Sequence, residues 1–316
     1  MHTEAAMARH SSLIAFLISC PVRRLLLLAL TTALLGCYIQ AAAGTAAPPK
    51  GVSLSFPPFT SSLKCVPAAG SKPSQICHAV TGQNGPQILL YSENQSVIST
   101  RYQYNSKVQL WKKGSPYAAS FSTAFTVLAS PVDEQTFTFG GGIAFAITPD
   151  LRVGQAGPES FGLFEVDEKT GNSLRGNATK TVAVEIDMSR NFASDPNAFD
   201  DPPIPHLGLD INSVKSVVNK SLGSLESFTD RRIAVFIDYD AAKQLLEVRL
   251  QKLPKNDETT KPEKKKAKRY FSRHLRLSDY VKEKSYVGFG SRVPIGDDGV
   301  YILYDWSFST TWVPTK

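Results

Sequence analysis

Apolar residues along this chain alternate with polar or small residues over short stretches, and helical periods are scarce. Within residues 182–187, Val182, Val184 and Ile186 alternate with small or charged side chains, and residues 246–251 show the same period of two. Because successive side chains of a β-strand point to opposite faces, this pattern predicts strands with one face in a core. Gly, Pro, Asn and Ser separate these stretches, which favours an all-β fold.

The length and composition allow a full hydrophobic core. The chain has 316 residues and a hydrophobic content of 42%, and all-β domains of more than about 200 residues are ordinary. Near the end, Tyr304, Trp306 and Phe308 share one face of a predicted strand. Such an aromatic stripe could line a ligand groove, but packing between two sheets is its more frequent use. We therefore expect these three rings in the core.

The first 43 residues differ in composition from the rest. Arg23 and Arg24 precede an apolar run over residues 25–36, and small residues follow at 41–44. Positive charge, a short apolar run and an Ala-rich exit are typical of a secretory signal. The run is short for a membrane span, although an uncleaved signal anchor that tethers the protein to a membrane is an open alternative. We expect a leader over residues 1–43 and a secreted protein.

Two cysteines remain after the leader, Cys65 and Cys77. In an oxidising compartment, two cysteines this close in sequence most simply form a disulfide, worth roughly 3 kcal/mol by loop-closure entropy. Two buried thiols are the alternative. Sequons at Asn94, Asn177 and Asn219 agree with a secretory route and are predicted glycosylation sites.

Candidate metal ligands cluster around the first of these predicted strands. Glu185 and Asp187 leave the strand from the same face, and a polar loop with Asn191 and Asp195 follows it. A second β-like stretch begins at His206. Oxygen ligands suit calcium, and a site that adds one imidazole suits manganese, zinc or a similar ion. The alternative is a solvated strand end followed by an acidic loop.

This stretch resembles the metal-binding core of the legume-type (L-type) lectins. In that family, a Val-Glu-Phe-Asp-like strand is followed by an Asn, an Asp-Pro, a His-Ile-Gly-Ile-Asp segment and a Ser. The corresponding residues here are Glu185, Asp187, Asn191, Asp195, Pro196, His206–Asp210 and Ser216. The motifs at 142–145, 287–290 and 305–309 also look like the family's, and the matches keep the family's order over about residues 51–312.

The resemblance implies a fold and a set of ligands. The fold would be one concanavalin A-like β-sandwich, a jelly roll of two large antiparallel sheets, over residues 44–316. Asp187 and Asp195 would bind both ions, and Asn191 and the backbone carbonyl of Ser189 would complete the calcium site. The site for manganese or another transition-metal ion would be completed by Glu185, by His206 and, through a water molecule, by Ser216. We also expect a non-kinase member, because no kinase sequence follows Trp312, and a homodimer is one expected assembly.

The resemblance is weaker at the sugar site. The family's sugar-binding Asp, which accepts hydrogen bonds from two hydroxyls, aligns with Gly141. Losing that carboxylate removes a charged hydrogen bond worth roughly 1.5–3 kcal/mol. Asn191 is retained, Glu159 or Asp297 could supply another carboxylate, and Phe192 could stack on a sugar ring. The sequence therefore leaves open both a modified sugar site and a lost one.

One segment departs from the β pattern. From Lys261 to Arg276 the chain carries eight Lys or Arg and one Glu, a formal charge of +7, which equals the +7 of the whole chain. We expect an exposed basic loop inserted at about residues 253–276. The loop could be merely solvated, or it could attract an anionic polysaccharide or a membrane surface. Nucleic acid is not expected, since no nucleic-acid-binding fold accompanies the run.

An enzyme of similar fold is the last alternative. The fold resembles that of laminarinase-type glucanases, whose catalytic strand reads Glu-Ile-Asp-x-Glu, but here Ser189 stands where the proton donor should be. Retaining hydrolysis needs two carboxyl groups about 5–5.5 Å apart, and Glu185 and Asp187 are already predicted metal ligands.

We expect no enzyme, but a metal-dependent carbohydrate-binding lectin of the apoplast or cell wall, acting in defence or wall sensing. The alternative is a lectin-like protein that has lost monosaccharide binding and serves as an interaction, inhibitor or storage module.

Overall fold

The computed structural model describes residues 47–57, 63–67, 77–82, 85–90, 98–131, 141–151, 161–164, 176–188, 205–228, 231–293 and 299–315. The chain divides into two compact units, Met1–Pro48 and Pro49–Lys316, and the strands all belong to the second. The predicted leader lies outside the described residues. Among those that are described, no helix has both the length and the apolar character needed to cross a membrane.

The described part of the second unit consists almost entirely of β-strands. They are β1 (Ser53–Phe56), β2 (Leu63–Pro67), β3 (Cys77–Gly82), β4 (Gly85–Leu90), β5 (Ile98–Tyr104), β6 (Val108–Gln109), β7 (Tyr117–Pro131), β8 (Gly142–Thr148), β9 (Val182–Asp187), β10 (His206–Ile211), β11 (Ser216–Ser221), β12 (Arg232–Asp240), β13 (Leu245–Lys252), β14 (Lys268–His274), β15 (Lys284–Val293) and β16 (Gly299–Pro314). One short helix, α1 (Leu277–Tyr280), and 3-10 turns at Gly176–Thr179, Leu225–Ser227 and Lys264–Lys266 accompany them.

The strands form two antiparallel sheets of eight strands each. Sheet I has the order β14-β13-β12-β7-β16-β4-β3, with β1 also paired to β16. Sheet II has the order β11-β10-β9-β8-β15-β5-β2, with β6 also paired to β15. The prediction of an all-β sandwich is confirmed.

A cluster of aromatic rings joins the two sheets. Phe125 and Trp306 come from sheet I, and Phe289 comes from sheet II. The Phe289 ring stands edge-on to both of the others, with ring centroids 5.0 Å from Phe125 and 5.2 Å from Trp306. Edge-to-face packing at this spacing is favourable beyond the area it buries. These rings form the centre of the hydrophobic core.

The outer face of sheet II is also covered. Ala144, Ala146 and Ala183 lie on that face, and Phe161 and Phe164 pack against them as a second buried cluster. Because the sheet presents small residues there, a segment of chain can approach it closely. Polar side chains on the neighbouring positions of this face are therefore buried as well, which sets the environment of the candidate site.

The aromatic stripe near the end of the chain is only partly as predicted. Trp306 and Phe308 belong to the core cluster between the sheets, whereas Tyr304 is buried but lies outside that cluster. The register of β16 against β7 shifts between Leu303 and Asp305. A bulge inserts one extra residue and interrupts the alternation of faces, so Tyr304 instead packs beside the Arg232 guanidinium, 5.7 Å from its ring centroid.

The expectation of a basic loop over residues 253–276 is wrong for its second half. Residues 268–274 form β14, an edge strand of sheet I paired with β13. Phe271 lies opposite Val248, and its side chain is buried in the core. One apolar residue at the correct register anchors the strand, while its other side chains remain exposed or partly exposed.

The predicted disulfide and glycosylation sites are distributed over several elements. Cys65 lies in β2, at one edge of sheet II, and Cys77 begins β3, at one edge of sheet I. Asn219 is exposed on β11, and Asn177 lies in the first 3-10 turn. Asn94 is outside the described residues. The disulfide and the three glycans stay predictions.

We predict that Phe289→Ala lowers the free energy of unfolding by about 3–5 kcal/mol, because it removes the ring that contacts both sheets and leaves a cavity. Urea denaturation followed by tryptophan fluorescence measures this loss. Val217→Ala is the control: that side chain is 44% exposed on β11, and a surface change of this kind stays within about 0.5 kcal/mol. Similar losses for the two variants would contradict the proposed centre of the core.

Candidate functional site

Three neighbouring strands of sheet II bring the predicted ligands together. In the antiparallel register, Asp187 at the end of β9 lies opposite His206 on β10 and Gly142 on β8. Glu185, two residues earlier, lies opposite Gly208. All of these residues are on the outer face of the sheet, as the alternation of the strands predicted.

Glu185 is the centre of the arrangement. Its carboxylate Oε1 lies 3.4 Å from His206 Nε2 and accepts a hydrogen bond of 2.9 Å from the Ser216 hydroxyl. Glu185 is 3% exposed, Asp187 5% and His206 1%. A solvated strand end, the alternative considered for this stretch, is therefore wrong for these three side chains.

Gly208 provides the space for this cluster. A Cβ atom at this position would collide with the Ser216 hydroxyl and with the Glu185 carboxylate. Glycine is thus required here by the close approach of two side chains, and not by an unusual backbone conformation. His206 and Gly208 are two residues apart and lie on the same face of β10. The imidazole therefore stands next to the space, left free by the missing side chain, that Glu185 and Ser216 occupy.

Asp210 belongs to the same cluster, although the sequence analysis assigned it no role. It is fully buried, and its Oδ1 lies 2.8 Å from the Ser216 hydroxyl oxygen. The signal in the sequence was its position, two residues beyond Gly208 and four beyond His206 on the same strand face.

The carboxyl groups of Glu185, Asp187 and Asp210 form an acidic cluster whose negative charge is not fully balanced by the neighbouring His206 and Ser216. Burial and the Glu185 carboxylate raise the pKa of Asp210 well above its usual value. A hydroxyl has one proton, so Ser216 can donate to only one of two carboxylates at a time. The second contact needs a proton on a carboxyl group. Asp210 Oδ2 also makes no hydrogen bond within the described residues.

The donor set fits a divalent cation. Carboxylate oxygens beside an imidazole nitrogen are a common ligand set for a transition-metal ion, and a cation would relieve the repulsion between the buried acids. The described residues alone contain no group of three or more His, Cys, Asp or Glu arranged to hold a metal. The remaining predicted ligands, Ser189, Asn191 and Asp195, lie outside the described residues.

The predicted sugar-binding position lies next to this cluster. Gly141 is buried, with a backbone φ of 72°, and its carbonyl accepts a 2.9 Å hydrogen bond from the Met188 amide. Gly141 therefore adjoins the end of β9 where Asp187 lies. The other predicted sugar contacts, Asn191, Glu159, Phe192 and Asp297, lie outside the described residues.

We predict that Gly208→Ala lowers the free energy of unfolding by about 1–3 kcal/mol, since the added methyl group forces the Ser216 and Glu185 side chains apart. Chemical denaturation of the metal-free protein measures the effect. Lys220→Ala, on the exposed surface of the adjacent strand, is the control and changes the stability by less than about 0.5 kcal/mol. Unchanged stability in Gly208→Ala would mean that the two side chains are not held together.

Comparison with known families assigns the chain. The sequence model of the legume lectin domain matches residues 72–316. This match confirms the resemblance found in the sequence motifs, and it agrees with the prediction of a lectin domain that is not an enzyme.

Individual relatives and structures give the same assignment. The chain is 32% identical over 210 residues to the probable L-type lectin-domain containing receptor kinase II.1 of Arabidopsis thaliana, a match that covers 60% of this chain but only 28% of that protein. It is 25% identical over 236 residues to a galactose-binding lectin of Arachis hypogaea, covering 75% of this chain and 77% of that one. Peanut lectin in complex with a nine-residue peptide has the same fold, with a TM-score of 0.64, 22% identity, and coverage of 84% of this chain and 100% of that one. With a family match over most of its length, this chain belongs to the legume lectin domain family.

Proposed function

We propose that this protein is a secreted lectin that binds carbohydrate at the rim of sheet II, beside a calcium ion and a manganese or similar ion. The observation that carries the proposal is the cluster on the outer face of sheet II, where the buried side chains of Glu185, His206 and Asp210 surround the Ser216 hydroxyl. A galactose-binding lectin among its relatives supports carbohydrate as the ligand class.

The metal pair has an assigned set of ligands in this proposal. Glu185 and His206 bind the transition-metal ion, and Asp187 and Asp195 bind both ions. Asn191 and the Ser189 carbonyl bind calcium, while Ser216 contacts the transition metal through water. When bound, the ions neutralise the buried carboxylates and hold the rim loops in one conformation, which keeps a sugar site preorganised.

The sugar itself binds without the carboxylate that the family places at position 141. Asn191 donates an amide, Phe192 offers a ring for stacking, and Glu159 or Asp297 accepts from sugar hydroxyls. Secretion is supported by the predicted leader and agrees with the exposed sequon at Asn219. Defence or wall sensing in the apoplast, and assembly as a homodimer, complete the proposal.

A second function rests on Gly141. If the missing carboxylate has abolished monosaccharide binding, the protein is a lectin-like interaction, inhibitor or storage module that still binds its metals. A glycan array with metal-loaded and chelator-treated protein separates the two functions. Metal-dependent hits support the lectin, whereas silence across the array with the metals bound supports the module.

We predict that Ca²⁺ and Mn²⁺ each stabilise the wild-type protein by about 2.7 kcal/mol when present at 100 times their respective Kd. Glu185→Gln keeps the shape of the side chain but removes its charge, so binding of the transition metal weakens by at least about tenfold. Elemental analysis after dialysis and thermal unfolding with and without metal measure both effects.

Glu247→Gln is the matched control for this variant. Glu247 lies on sheet I and pairs with Arg249 and Arg269, so its loss should leave the metal content unchanged. Dialysed wild-type protein without metal, or an equal loss in both variants, would contradict the proposed metal site.

We predict that Gly141→Asp increases the affinity for galactose by at least about tenfold, because it restores a charged acceptor for two sugar hydroxyls. Asp tolerates the left-handed backbone conformation of this position at modest cost. Gly141→Asn, which has the same shape without the charge, should gain much less. Titration calorimetry in the presence of both metals measures the three affinities, and a lack of gain in Gly141→Asp would mean that the rest of the sugar site is absent.

A further inference from the structure

The basic segment at residues 261–276 is only partly neutralised by the protein itself. Its cations are Lys261, Lys264, Lys265, Lys266, Lys268, Arg269, Arg273 and Arg276. The first 3-10 lysine, Lys264, pairs with Asp238 at 2.6 Å, and the next two share Glu263. Arg269 pairs with Glu247 at 3.3 Å. The other four cations are exposed and form no ion pair with the described residues.

Three of these four cations follow the open edge of the sandwich. Lys268 and Arg273 are exposed although the residues opposite them on β13, Leu250 and Leu246, are buried. They therefore leave the sheet along its free edge. Arg276 continues the row just beyond the end of β14, about 25 Å from Lys268 at the rise of an extended chain.

The row ends in a cleft of about 600 Å³ at the turn between β6 and β7. Arg276 lines this cleft together with the half-buried rings of Trp111 and Tyr117 and the exposed Lys112 and Lys113. The indole is fixed, because its Nε1–H donates to the Val281 carbonyl at 3.1 Å. An aromatic ring and several cations thus converge on one concave surface.

The acidic groups near this cleft are few. Among the described residues that line it, Asp279 is the one carboxylate, and the nearby Asp240 is paired with Lys243. The Glu283 carboxylate lies close by and accepts a 2.9 Å hydrogen bond from the Lys113 backbone amide. Three cationic side chains against one acid in the lining give the cleft a positive field, which favours an anionic ligand.

The cleft lies at the opposite end of the sandwich from the rim site. Lys180, just before β9, donates through Nζ to the Asp279 carbonyl at 2.7 Å. The cleft is therefore near the start of β9, whereas Glu185 and Asp187 are at its end. A strand of six residues is about 20 Å long, so one ligand unit cannot occupy both sites.

We propose that the cleft around Trp111 and Arg276, continued by the edge strand β14, binds a linear anionic polysaccharide. A guanidinium binds a carboxylate or sulfate group through two parallel hydrogen bonds, and the flat indole offers a surface for a sugar ring. The extended row of cations matches a chain with a charge on most of its units. This binding is independent of the metals and of the proposed rim site.

A membrane surface fits the same charges less well. Peripheral membrane binding usually combines basic residues with apolar side chains that enter the lipid. Among the described residues, the one large hydrophobic side chain classed as exposed is Val217 on β11. The apolar rings of the cleft are half-buried in a concave surface, and the described residues of β14 present no large exposed apolar side chain. The polysaccharide is therefore the better match.

Biolayer interferometry with immobilised polygalacturonate tests the proposal, with dextran sulfate as a second arm to distinguish carboxylated from sulfated chains. Lys112→Gln/Arg276→Gln removes two cations from the cleft and should weaken binding by about tenfold or more. A chelator should leave the wild-type affinity unchanged, which separates this site from the rim. With the chelator present, so that the proposed metal-dependent rim site is inactive, neutral galactan should not bind.

The matched control is Lys255→Gln/Lys261→Gln, which removes the same charge from two exposed positions. Lys255 follows β13 at the end of that strand away from the cleft, and Lys261 follows Thr260, whose carbonyl accepts from Arg232 at the same end of β12. This variant should bind within about twofold of wild type at 0.15 M salt. An equal loss in both variants, no binding to either polyanion, or equally tight binding to anionic phospholipid vesicles or duplex DNA would overturn the proposal.

Discussion

The burial of several acidic side chains on the outer face of sheet II is the constraint on which the site depends. Glu185, Asp187 and Asp210 lie within a small volume with one imidazole and one hydroxyl. Buried carboxylates at this density repel one another unless a proton or a cation compensates them. In the metal-free protein, burial and then the neighbouring Glu185 carboxylate raise the pKa of Asp210. A proton on Asp210 is thus favoured where no cation is bound.

The rest of the sandwich makes that burial feasible. The aromatic core between the sheets fixes the register of the strands, and the register fixes which side chains share the outer face. Small residues on the outer face then admit the covering segment at Phe161 and Phe164. Gly208 removes the last steric obstacle between Glu185 and Ser216. A stable core is thus the support for an electrostatically unfavourable cluster.

The charges of the domain are arranged so that its two proposed sites differ in sign. The rim site gathers carboxylates from β9 and β10, whereas the cleft at the other end gathers cations from β14 and the turn after β6. The first arrangement suits metal ions and, through them, neutral sugars. The second suits a polyanion. One β-sandwich can therefore offer two kinds of carbohydrate surface without a second domain.

The sequence by itself determined the local pattern. Alternation in β9, β10 and β13 predicted strands and the sides of their residues correctly, because side-chain direction has a fixed period of two. Motif order then predicted the family and the ligand set around Glu185 and His206. A local pattern does not predict, however, where a β-bulge interrupts the alternation or which segment of the chain covers the outer face of a sheet.

The tertiary structure decided those points. Tyr304 is buried beside Arg232, outside the main core cluster, because of a bulge against β7. Lys268–His274 is an edge strand because Phe271 reaches the core opposite Val248. Asp210 joins the acidic cluster through Ser216, and Arg276 meets Trp111 in a cleft. Each of these outcomes depends on contacts between segments that are far apart in the chain. Such contacts form only when the two sheets have assembled, so a local sequence pattern does not contain them.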